Sequence, residues 1–175
     1  MKENARLYNI IFPIWLLWVL PPMWLFILPA NFVIDFLVLS LSMKRLGIAQ
    51  AEVKAKTKTV ILKTWVLGFV ADIIGSVFMY VPTLLGDCFG YASDFGSWWQ
   101  DALITPAMLS PFDSVFAVLW VLICILIAGV CIYFFNYKIC FKSLELEPAI
   151  ARKLALSMAI FTAPYLFLLP TTWFV

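Results

Sequence analysis

The stretch SVFAVLWVLICILIAGVCIYFFN, residues 114–136, contains no charged side chain. As a helix rising 1.5 Å per residue it reaches about 34 Å, enough to cross a hydrocarbon core about 30 Å thick. An apolar run this long reads as a transmembrane helix, because a soluble helix keeps one polar face. Acid lies on one flank (Asp113) and base on the other (Lys138, Lys142).

The rest of the chain has the same character. Of 175 residues, 65% are hydrophobic and 13% are charged, against roughly half and a quarter in soluble domains. A chain this short cannot enclose that much apolar surface within itself. The reading is an all-α, polytopic integral membrane protein forming one helical domain over 1–175. Complete spans are expected at 23–43, 60–81, 114–136 and 154–174. The first hydrophobic stretch, from about Leu7 to Met43, is broken by Pro13, Pro21, Pro22 and Pro29. Proline lacks the backbone donor and clashes with the preceding turn. Residues 8–20 are therefore expected as a separate half-helix, interfacial or re-entrant, rather than part of the first span. Lys2 and Arg6 before an apolar run resemble the start of a signal peptide, but the run continues too far for one, and the segment is read as retained.

Charge orients the set. Segment 44–59 carries Lys44, Arg45, Lys54, Lys56 and Lys58 against Glu52, and 138–153 carries Lys138, Lys142, Arg152 and Lys153 against Glu145 and Glu147. Segment 83–112 has Asp87, Asp94 and Asp101 and no Lys or Arg. The positive-inside rule places 44–59 and 138–153 in the cytoplasm and 83–112 outside, in a multi-pass protein of the cell membrane. Good helix formers in 44–59 suit a helical extension of the second span. Trp98 and Trp99 suit a short surface helix in the acidic segment.

Several function classes find no support. There is no histidine, which removes the commonest general base and metal ligand. Cys88, Cys124, Cys131 and Cys140 form no Cys-x-x-Cys pair, so neither a metal site nor a redox motif is indicated. No phosphate loop, nucleophile elbow or nucleic-acid motif occurs, and no cofactor is expected.

Two residues oppose the general pattern: Asp35 in the first complete span and Asp72 in the second. A carboxylate near the bilayer centre costs roughly 2.5–3.5 kcal/mol even on the lenient insertion scale, and such residues generally face the bundle interior and serve function. Asp35 lies nine residues before Lys44, and Asp72 nine after Lys63. Both are then roughly 13–14 Å inside their basic ends, level with each other if the helices are neighbours. Asn31 shares a face with Asp35, and Ser76 with Asp72, each at a spacing of four. Gly68, Asp72, Gly75, Ser76 and Met79 form one stripe, with Gly68 and Gly75 as helix-packing positions.

Such a pair can hold protons, share one, or bind a cation with Asn31 and Ser76 completing the oxygen shell. The expected function is a small transporter or channel for protons or cations, with Asp35, Asp72, Asn31 and Ser76 at the site, acting as a homo-oligomer because four spans rarely enclose a pathway alone. The alternative is a non-catalytic scaffold or regulatory subunit that binds a partner protein, or anionic lipid through its basic loops. An intramembrane enzyme ranks last, since no nucleophile accompanies the acids.

Overall fold

The computed structural model describes residues 21–89 and 93–171, with side chains over 27–88 and 93–171. The half-helix expected at 8–20 lies outside the described residues. All regular structure among them is helical, and four helices are long and apolar enough to cross a membrane. The protein is an all-α polytopic membrane protein.

Helix α1 spans Pro21–Arg45 with Pro29 inside it. It stops where the sequence supplies a left-handed residue. Gly47, at φ 82°, donates to the Lys44 carbonyl, and Ile48 donates to the Met43 carbonyl. These two bonds form the Schellman arrangement that satisfies a helix's last carbonyls. Helix α2, Gln50–Met79, follows after a turn. The basic segment is therefore helical from Gln50 onward, continuous with the second span. At 30 residues the helix is about 45 Å long, longer than the hydrocarbon core is thick.

The acidic segment is folded. It contains α3 (Val81–Phe89), α4 (Asp94–Trp99) and α5 (Thr105–Leu109), with a π-helical stretch over Gln100–Ile104. Ser93 caps α4 by accepting from the Gly96 N–H. The Trp99 indole donates to the Pro82 carbonyl at 2.9 Å, tying α4 to α3. Thr171 donates to the Leu109 carbonyl at 2.9 Å, tying the end of the described chain to α5.

Helix α6 spans Val115–Phe135 and passes into a π-helical turn, Asn136–Cys140, then a 3-10 turn, Phe141–Leu144. Helix α7 spans Pro148–Phe161. It begins six residues before the expected 154 and stops well before 174. Pro148 suits a first helical position, where the missing N–H is not needed. At the other end Pro164 has no N–H to give and turns the residue before it away from helical geometry. The chain bends there and resumes as a short 3-10 turn, Tyr165–Leu168, and α7 with this turn makes up the fourth membrane-length segment, Pro148–Leu168.

The four long helices pack in a ring: α1 on α2, α2 on α6, α6 on α7, and α7 on α1. Towards the basic end the core comprises Leu39, Met43, Val60, Ile132, Leu154 and Met158 with their neighbours. A second core, with Met79, Val121, Cys124, Ile125 and Phe167, lies towards the acidic end. The outer faces stay apolar. Val66, Val70, Ile73 and Val77 form an exposed stripe on α2, and Leu119, Leu122, Ile123, Leu126 and Val130 do the same on α6. Exposed apolar stripes of this length are the surface that lipid covers.

Candidate functional site

Asp35 and Asp72 meet at the α1–α2 contact. Both line one small cavity of about 20 Å³, together with Asn31, Trp65, Gly68 and Phe69. Asp35 is only 8% exposed. Gly68 faces this carboxyl: a β-carbon there would lie 3.8 Å from Asp35 Oδ2, ordinary contact distance, while a side chain longer than alanine would occupy the space in front of it.

The two acids are staggered rather than level. Ser40 and Thr57 hydroxyls lie 3.4 Å apart, and Phe32 packs edge-on to Trp65 at 5.9 Å. This antiparallel register sets Lys44 near the first turns of α2 instead of near Lys63, and the Asp35 side chain leans past that register towards Gly68. Asp72 lies one turn beyond Gly68, further towards the acidic end than Asp35. The carboxyls still converge, because helical side chains lean towards their own N-terminus. In antiparallel helices the leans oppose: Asp35 reaches towards the acidic end and Asp72 towards the basic end. Two carboxylates lining one small cavity repel each other when both are ionised.

Polar groups around the cavity are left open. Asp72 Oδ1 is buried without a hydrogen-bond partner, as is the indole N–H of Trp65. A buried polar atom left unpaired typically costs about 1–3 kcal/mol, so such a group usually marks a ligand, an ion or a water. The two residues that carry this free donor and free acceptor line the same cavity. About one water fits a cavity of this size. Trp65 is itself fixed by edge-on contacts with Phe32 and with Phe69, the latter at 5.3 Å. No Lys or Arg among the described residues pairs with either acid, and Lys63 is exposed.

Of the expected site residues, Asn31, Asp35 and Asp72 come together and Ser76 does not join them. Its hydroxyl donates to the backbone carbonyl of Asp72 at 2.7 Å, within its own helix, and it does not line the cavity. The glycine stripe also divides. Gly68 faces α1, whereas Gly75 faces α6, where an added β-carbon would stand 3.0 Å from Ala128 Cβ and 3.1 Å from the Cys124 carbonyl oxygen. Met79 belongs to the core on that second side. The angular drift of a helix explains the split: seven residues turn through about 700°, some 20° short of two full turns, so the stripe slides across the boundary between neighbours.

Trp65 and Phe69 were not among the expected site residues. The signal was present: they stand seven and three residues before Asp72, spacings that share its face. No three His, Cys, Asp or Glu side chains among the described residues gather as a metal-binding group. The donor set at the cavity is carboxylate and amide oxygen, which suits a proton or a hard cation rather than a soft metal. No protein-family model matches the chain, and comparison with curated proteins and with solved structures gives no match.

Proposed function

We propose that this protein binds and moves protons or small monovalent cations across the membrane, with Asp35 and Asp72 as the carriers and Asn31 as an auxiliary ligand. The observation that supports this reading most directly is the unpartnered carboxylate oxygen of Asp72, a residue that lines one cavity with Asp35, with no basic side chain among the described residues paired with either acid. A pair of carboxyls used only to join two helices would be expected to hydrogen-bond to one another or to a facing backbone group. A pair that receives a transient proton or cation needs an open lone pair and room for one small species. The cavity of about 20 Å³ excludes a hydrated ion, so a cation sheds its water on entry.

In this reading the basic segments 44–59 and 138–153 face the cytoplasm and the acidic segment faces outward, where its carboxylates concentrate cations near the entrance. The acids lie at a two-helix contact, and the pathway is completed between copies of the chain in a homo-oligomer.

The test is reconstitution of wild type, Asp35→Asn, Asp72→Asn and the double variant into liposomes. Proton and monovalent-cation flux is followed with internal dyes under an imposed potential or pH gradient. Each variant is first required to elute as wild type on gel filtration. Flux in wild type that vanishes in the well-folded double variant supports the reading. Flux that survives the double substitution, or its absence from well-folded wild type, overturns it.

A further inference from the structure

A second site is built on the opposite side of the ring, independent of the two acids. Between α6 and α7 an open groove of about 530 Å³ runs along the outer surface, with Gly129, Ala159 and Ala163 as its small-residue floor. It extends from Leu122 to Phe134 along α6, a length of about 18 Å at helical rise, a little over half the hydrocarbon thickness. Its walls are almost wholly apolar.

The groove ends in positive charge. Tyr133, which lines it, stacks at 5.9 Å on Tyr137 one turn later. Arg152 Nε donates to the Tyr137 hydroxyl at 3.4 Å, and its guanidinium lies 5.9 Å from the ring centre. Lys138 Nζ approaches the same ring at 5.3 Å. Lys138 and Tyr137 belong to the π-helical turn Asn136–Cys140, a kind of helical irregularity that often accompanies functional sites. Arg152 and Lys138 are both exposed, and neither forms an ion pair with a carboxylate among the described residues. Their aromatic partner fixes them in place without neutralising them. The result is two held cations at the mouth of an apolar channel one leaflet deep.

We infer that this is a binding site for an anionic phospholipid, its phosphate on Arg152 and Lys138 and one acyl chain in the α6–α7 groove. Each element matches one part of that molecule. The paired cations complement the phosphate, with the guanidinium offering its two terminal nitrogens. The tyrosines sit at headgroup level, where amphipathic rings are favoured. The groove matches a chain confined to a single leaflet.

The experiment uses the full chain in neutral detergent micelles, with phosphatidylglycerol carrying a photoreactive diazirine on its acyl chain. Phosphatidylcholine with the same label is the comparison. In wild type, phosphatidylglycerol labels Leu126, Tyr133, Leu156 and Ile160 at concentrations where phosphatidylcholine does not. In the Arg152→Gln/Lys138→Gln variant the half-labelling concentration rises about thirtyfold, the loss expected for two charges at an anionic surface. Lys142→Gln removes an exposed cation outside the cluster and leaves that concentration unchanged. Ile160→Trp, at an exposed position, blocks labelling with the charges intact. Equal labelling by the two lipids overturns the inference. So does an equal loss in Lys142→Gln, which would mean diffuse surface charge. Disulfide cross-linking between copies through Leu126→Cys would also overturn it, by showing a second copy of the chain in the groove.

Discussion

Replacing Gly75 by alanine places one methyl group where α2 meets α6. The added carbon would stand 3.0 Å from Ala128 Cβ, 3.1 Å from the Cys124 carbonyl oxygen and 3.2 Å from Phe167 Cε2. The first two are fixed to the α6 backbone and cannot rotate away, so the helices must separate by several tenths of an ångström. Overpacking of this kind costs about 1–3 kcal/mol. Alanine returns about 0.5–1 kcal/mol through its better helix propensity. The net loss is then up to about 2.5 kcal/mol. Gly68 is the internal control. It lies on the same helix at the other interface, and an added carbon there finds its nearest neighbour, Asp35 Oδ2, at 3.8 Å. Gly68→Ala should leave stability unchanged or raise it by up to about 1 kcal/mol. Reversible unfolding of the two variants in mixed detergent micelles measures the difference, expected at about 2 kcal/mol in favour of Gly68→Ala. A Gly75→Ala protein as stable as Gly68→Ala would refute the close α2–α6 approach and the division of the glycine stripe between two neighbours.

Two further outcomes follow from single contacts. Ser76→Ala removes a hydroxyl bonded within its own helix, so it should leave liposome flux unchanged and cost about 1 kcal/mol or less in the same unfolding assay; loss of flux would return Ser76 to the site. Lys56 makes two contacts, an ion pair with Glu52 at 3.4 Å and a hydrogen bond to the Leu144 carbonyl at 3.3 Å. Glu52→Gln should cost no more than about 0.5 kcal/mol, and Lys56→Met about 1 kcal/mol, because only the latter also leaves a carbonyl at the end of the 3-10 turn without its donor. Equal costs would show that the carbonyl contact contributes nothing.

The membrane class and the existence of four spans were legible because lipid selects on length and charge alone, and both are written in the sequence. The ends of the spans were less so. Hydropathy continues through 162–170, but Pro164 governs the backbone there, and α7 stops at Phe161. The basic segment reads as a loop by charge, yet its first helical turns are held by packing: Val53 and Thr57 are buried against the rest of the bundle. At the site, the acids announced themselves by their cost, and Asn31 by its spacing. Their stagger was not legible, because Lys63 was taken as the basic end of α2, and only the Ser40–Thr57 and Phe32–Trp65 contacts fix the register. Ser76 satisfied the spacing rule but turned its hydroxyl to its own backbone, an alternative always open to serine in a helix.

The length of α2 has one more consequence. Lys54 and Asp72 are separated by 18 residues, five full helical turns, on a helix with neither proline nor irregularity between them. They point in the same direction about 27 Å apart, one exposed at the basic end and the other at the cavity. The helix is a stiff axle, and Lys54 is its external pointer. Any swivel of Asp72 about that axle is copied at Lys54, so a spin label or fluorophore attached there reports the heading of the carboxylate from outside the membrane.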